Sequence, residues 1–165
     1  MTLLDDFRST FDPDLVIPMV DDHGVRCLSI KETGAKASFR ELRIIRVPDN
    51  CFGVRLDFDS PKHLNRLTHF TNKSIPGLCC RPDGVVFQVF ERNVKACLVE
   101  LKSSKPSEAE ARAQLEAGEV FIRYIEGIYK MLRTEVAPLD QISVKKRVFF
   151  PGPVSKAPVG GRSRP

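Results

Sequence analysis

Hydrophobic positions recur along this chain at two different periods. After Pro106, the residues Ala111, Leu115, Gly118, Ile122, Ile125, Tyr129 and Leu132 repeat at helical spacing, as one buried stripe of an amphipathic helix does. Ser107 followed three positions later by Glu110 is a capping-box signature for its start, and Pro138 marks its end. Leu4, Phe7 and Phe11 predict a short helix closed off by Pro13 and Pro18. Leu64, Leu67 and Phe70, after Ser60-Pro61, predict another over residues 62–70.

Between these lie β-rich runs. Asp83 to Phe90 and Val94 to Lys102 read as strands joined by the short polar turn Glu91-Arg92-Asn93. Leu42 to Val47 and Cys51 to Phe58 flank Pro48-Asp49-Asn50 and read as a hairpin with a three-residue turn. A weaker strand is expected around Arg26 to Ile30, a short one near Leu78 to Cys80, and a last one from Ile142 to Phe150.

Composition narrows the class. The 165 residues are 42% hydrophobic with a formal charge of +5, which suits one soluble domain over residues 1–150 with a single core. Every long apolar stretch is interrupted by charge or glycine, so no membrane helix is expected, and Met1-Thr2-Leu3-Leu4-Asp5-Asp6 does not open as a secretory signal. Five cysteines without a CxxC pair fit a reduced, cytoplasmic setting better than a disulfide framework. His63, His69, Cys79 and Cys80 match no usual zinc spacing.

Charge is unevenly placed. Residues 1–60 carry 8 basic and 11 acidic side chains, whereas 61–165 carry 18 and 10. From Lys145 onward there are Lys145, Lys146, Arg147, Lys156, Arg162 and Arg164 and no acid, which points to a polyanionic partner. Residues 151–165, rich in Pro, Gly and Ser, read as a disordered basic tail.

The chemistry concentrates at Arg81-Pro82-Asp83 and Glu100-Leu101-Lys102, where charged groups end two apolar strands. Burying such charges is costly unless they are paired or bind a metal. An antiparallel hairpin centred between Arg92 and Asn93 sets Asp83 opposite Lys102, and Glu100 shares their face. A half-residue slip of the turn would send Asp83 to the other face. Two carboxylates and the Leu101 carbonyl are hard oxygen ligands suited to Mg²⁺ or Mn²⁺, with Lys102 placed to position or deprotonate a water.

On these residues the sequence resembles the PD-(D/E)xK, restriction-endonuclease-like superfamily of metal-dependent nucleases over about residues 60–150. The resemblance implies an α/β (α+β) fold: a central mixed sheet flanked by helices, with an αβββαβ core and an N-terminal β-rich extension over residues 1–59. It also implies phosphodiester hydrolysis, of DNA rather than RNA, with Asp83 and Glu100 as metal ligands and Lys102 assisting the nucleophile. Gln114 corresponds to a glutamine that several members carry on the following helix. Many members supply a further Glu from the preceding helix; residues 62–70 contain none, and Glu41 is the nearest alternative. Arg81, Lys105, Arg112, Lys145, Lys146 and Arg147 are the expected phosphate contacts. A homodimer or a larger complex is open on this reading. So is the alternative of a catalytically inactive, nuclease-like subunit that binds nucleic acid or a protein.

Overall fold

A computed structural model describes residues 2–32, 37, 39–56, 81–104, 107–133 and 138–151. They form a mixed α/β arrangement of α1 (Leu3–Ser9), β1 (Val16–Ile17), β2 (Val20–Asp22), β3 (Val25–Lys31), β4 (Glu41–Ile45), β5 (Cys51–Arg55), β6 (Gly84–Phe90), β7 (Asn93–Leu101), α2 (Glu108–Arg133) and β8 (Gln141–Phe149). A five-stranded sheet has the order β1-β5-β6-β7-β8, and a three-stranded sheet the order β2-β3-β4. All pairs are antiparallel except β7–β8, which α2 connects as a parallel crossover. The helix and strand expected at 62–70 and 78–80 lie outside the described residues.

Strand alternation builds two cores on the two faces of the larger sheet. On one face Val85, Phe87, Val89, Val94, Ala96 and Leu98 meet Leu115, Ile122 and Tyr129 of α2 and Phe7 of α1. Phe7 sits edge-on to Phe87 at 5.3 Å, and Phe87 stacks on Phe52 at 5.1 Å, favoured geometries for aromatic quadrupoles. On the other face Val99 and Leu101 pack against Leu28 and Ile30 of β3. The larger sheet thus lies between the helices and the smaller sheet.

The hairpin expected around Pro48-Asp49-Asn50 does not form. β4 pairs with β3, whereas β5 pairs with β1 and β6 in the other sheet. Arg46 adopts a left-handed φ of 58° where the chain leaves β4. The two strands differ in kind: β4 alternates exposed and half-buried residues, while Cys51 to Val54 of β5 are all buried. A strand covered on both faces belongs inside a layered sheet and not in an exposed two-stranded ribbon. α1 and β5, from the stretch expected to be an extension, are therefore built into the principal sheet and its core.

α2 starts as its sequence predicts, with Ser107 Oγ accepting from the Glu110 N–H at 3.3 Å and donating to the Glu110 carboxylate at 3.0 Å. Its expected stripe is buried from Ala111 to Tyr129 except for the half-buried Ile125, and Leu132 is exposed. Two buried polar groups join the helices, the Tyr129 hydroxyl donating to Asp6 Oδ2 at 2.6 Å. Burial and the Asp6 carboxylate raise the Tyr129 pKa above the ordinary phenol value. Among the described residues no helix is long and apolar enough to cross a membrane.

Gly118 sets the spacing between α2 and the sheet. A Cβ there would lie 2.7 Å from Pro82 Cγ and 3.1 Å from Leu98 Cδ2. The proline ring has no rotamer by which to withdraw, so Gly118→Ala must lift the helix or shift the start of β6. Overpacking of this kind costs about 1–3 kcal/mol. Urea denaturation of Gly118→Ala will show a lowered midpoint with an unchanged slope.

Candidate active site

The start of β6 and the end of β7 lie side by side at one end of the larger sheet. Asp83 and Glu100 are 4% and 1% exposed there. The Leu101 N–H donates to Asp83 Oδ2 at 2.5 Å, so the carboxylate caps the strand end beyond the last paired residue. Lys102 Nζ lies 2.7 Å from Glu100 Oε1, and the Lys102 N–H donates to the Phe149 carbonyl of β8 at 2.8 Å.

The register differs from expectation by two residues. Phe90 pairs with Asn93 across a two-residue turn, Glu91-Arg92, in place of the expected three-residue Glu91-Arg92-Asn93. Glu91 takes the positive φ of 42° that a tight hairpin turn of this length requires. Gly84 then pairs with Val99, and one further step brings Asp83 to Glu100, not Lys102. Because side chains alternate with period two, a shift by two residues preserves the faces of the paired positions, and Glu100 and Lys102 remain neighbours. Glu100 contacts Lys102 directly, and Asp83 interacts with both through charge.

A third acid joins them. Within β3, Leu28 and Ile30 point inward, and the next residue of that parity is Glu32. Glu32 both interacts electrostatically and shares a side-chain hydrogen bond with Asp83. Its signal was present in that alternation, carried two residues past the expected end of the strand at Ile30. Glu41 does not take this place. It pairs with Lys31 and lines the outer face of the small sheet with Asp22, Ser29 and Arg43, because its parity is opposite to that of Glu32.

Electrostatics follow from this crowding. Burial pushes the Asp83 pKa up to about 8, with the charges of Glu100 and Glu32 adding to the effect and the Leu101 N–H opposing it. Burial thus favours the protonated form of Asp83, which shares a side-chain hydrogen bond with Glu32. For Lys102, burial works against the ammonium, but the hydrogen bond and charge of Glu100, helped by Asp83 and Glu110, outweigh it and raise the pKa. In this state Lys102 is a fixed cation suited to positioning, and not a base.

The carboxyl oxygens are hard donors, and a divalent cation would offset the cost that burial, and to a smaller extent the neighbouring carboxylates, places on the charged form of Asp83. The residue types therefore fit Mg²⁺ or Mn²⁺. Their present arrangement is not a finished cage: among the described residues no three His, Cys, Asp or Glu side chains are gathered to hold a metal. Glu100 is turned to Lys102, and Asp83 to an amide. Leu101 contributes that amide to the site while its side chain enters the opposite core.

The other expected residues are distributed around this centre. Gln114 is half-buried in the first half of α2, and Arg81 is half-buried one residue before the buried Pro82. Lys105 lies outside the described residues. Arg112 and Lys146 line a groove of about 510 Å³ between α2 and β8 with Ser107, Leu115, Glu116 and Val148. The Lys145-Lys146-Arg147 run is divided by strand alternation. Lys146 faces α2 and contacts Glu119 at 2.7 Å, whereas exposed Lys145 and Arg147 pair in register with Cys97 and Val99 and share their opposite face. Lys95 joins that second face, two residues before Cys97, with its Nζ 4.4 Å from the centre of the Phe90 ring.

Comparison of this chain with family models, with curated proteins and with solved structures finds no match.

The raised pKa of Asp83 gives stability a definite sign. Unfolded, the carboxyl titrates near its ordinary 3.8; folded, near 8. Between those values the folded state binds more protons, so stability falls as pH rises through the window and levels off above it. Thermal melts in EDTA will show this decline. Asp83→Asn, which cannot ionise, will flatten it and will melt higher than the unaltered protein above about pH 8.

Proposed function

We propose that this protein is a metal-dependent nuclease that hydrolyses phosphodiester bonds, of DNA rather than RNA. The observation that carries the proposal is the burial of Asp83 and Glu100 at adjoining strand ends with Lys102 at 2.7 Å from Glu100. Acids placed so cost stability, and a chemical role for them accounts for that cost. The order α1, β5, β6, β7, α2, β8 supports the reading further. With β1–β4 inserted after α1, the part that resembles the restriction-endonuclease-like core is the β-β-β-α-β run from β5 to β8, with Asp83 just before its second strand and Glu100 in its third.

In this reading Asp83 and Glu100 would hold Mg²⁺ or Mn²⁺, and Glu32 supports Asp83. Such an ion, when bound, supplies Lewis-acid stabilisation of the charge that develops on the scissile phosphate. Asp83 would hold the ion as a carboxylate, the form that burial disfavours in its absence. Lys102, a persistent cation beside Glu100, orients the attacking water and adds positive potential where negative charge accumulates. Arg112 and Lys146, on the same side of the sheet, hold backbone phosphates without reading bases.

Labelled single-stranded, duplex and branched DNA, and RNA, incubated with Mg²⁺, Mn²⁺ or EDTA test this directly. Cleavage is expected with metal only, reduced at least about 100-fold in Asp83→Ala and in Lys102→Ala. Glu32→Gln will retain activity but need about 10–100-fold more metal, as loss of a ligand-supporting group does. No cleavage of any substrate, together with binding that weakens steeply as salt rises, would instead identify a nucleic-acid-binding subunit acting through its basic side chains.

A further inference from the structure

α2 is apolar on the wrong side as well as the right one. Opposite its buried face runs a second stripe of Ala109, Ala113, Val120, Tyr124, Gly127 and Met131, in which Val120, Tyr124 and Met131 are 70%, 57% and 70% exposed. A Cβ added at Gly127 would meet nothing within 4 Å. The charged residues Arg112, Glu116, Glu119, Arg123 and Lys130 are confined to one flank, where they bridge to β8 or to one another. An ordinary surface helix is polar opposite its core. This one presents small and apolar residues to solvent over nearly its full 26-residue length.

We propose that this stripe is the interface between two copies of the chain, packed α2 against α2 in antiparallel fashion about a two-fold axis at Val120. The spacing is self-complementary about that residue, as an isologous contact requires. Val120 meets the partner's Val120, Ala113 meets the partner's Gly127, and Ala109 meets the partner's Met131. Small residues thus face small or flexible ones on both sides of the axis, which allows close approach. On the charged rim, exposed Glu116 comes beside the partner's Arg123 and Tyr124, and symmetry repeats the contact. No cation lies along the centre of the stripe, so it is unsuited to a polyanion. The rim alternates in sign, which suits another copy of itself better than a charged lipid surface.

The pairing also fixes where the acidic sites go. Lys102 feels Glu110 in the first turn of its own α2, so each site lies by a helix N terminus. Antiparallel packing sends the two sites to opposite ends of the helix pair, about 30–36 Å apart along it. The dimer therefore presents two independent sites.

Sedimentation velocity over a concentration series, on the unaltered chain and on Val120→Glu and Tyr124→Glu, tests the interface without reference to any activity. A reversible dimer is expected, with its Kd raised at least about 100-fold in Val120→Glu, where two like charges would be buried face to face. Circular dichroism will be unchanged in these variants, and melting will match that of the unaltered chain at concentrations below its dimer Kd, since Val120 is exposed in the single chain. Val120→Cys, oxidised and mapped by mass spectrometry beside the unaltered chain, will yield a disulfide between the two Cys at position 120. A chain that is monomeric at every concentration would overturn the proposal. So would a dimer that persists in Val120→Glu, or a dimer of Val120→Cys that does not form the link.

Discussion

The pairing of β6 with β7 is the constraint on which the site and the core both depend. A two-residue turn at Glu91-Arg92 sets Val89 against Val94, Phe87 against Ala96 and Val85 against Leu98, and these pairs make the floor on which α1 and α2 rest. The same ladder carries Asp83 to Glu100 at its far end. Parity couples the two outcomes, because a slip by one residue would expose the apolar set and turn the acids into the opposite layer. Packing energy over the length of the hairpin therefore holds the polar end in place. β8 and the Phe149 carbonyl then tie down the chain at Lys102.

That polar end works against stability. Two buried acids and the half-buried Glu32 crowd together, and the protein meets the conflict by favouring the protonated form of Asp83, placing an amide on its oxygen and an ammonium on Glu100. Each device satisfies a charge or a lone pair that burial would otherwise strand. Each is non-covalent and so replaceable in principle, and 27% of the Lys102 side chain remains exposed. A site assembled from replaceable partners is suited to binding chemistry that a closed hydrophobic core could not perform.

The layers divide the remaining labour. The face bearing the helices holds Glu100, Lys102, Lys146 and Arg112, Asp83 caps the end of the sheet where Glu32 of the smaller sheet reaches it, and the opposite face exposes Lys95, Lys145 and Arg147 beyond the small sheet. Gly118 sets how closely the helix layer approaches, since Pro82, the residue before Asp83, packs directly beneath it. The proline of the motif is in this respect a packing element that joins α2 to the site. Its ring tells the helix where to sit, and its neighbour supplies the charge.

Much of this was legible in the order of residues. The span of α2, its cap at Ser107, the strands around Val85 and Leu98, the final strand and the shared face of Glu100 and Lys102 all follow from local periodicity and from groups within a few positions of one another. Other features depended on contacts distant in sequence. The partners of β4 and β5 were settled by which faces of two sheets needed covering, and no local turn signal encodes that choice. Glu32 reaches Asp83 only because the small sheet packs against the larger one, across a separation of 51 positions. The basic run at Lys145 looked like one cluster because sequence is linear, and the pleat of β8 divided it between two faces. Sequence alone determines periods and local signals; tertiary structure decided which layers meet, because burial is a property of surfaces that residues far apart must build together.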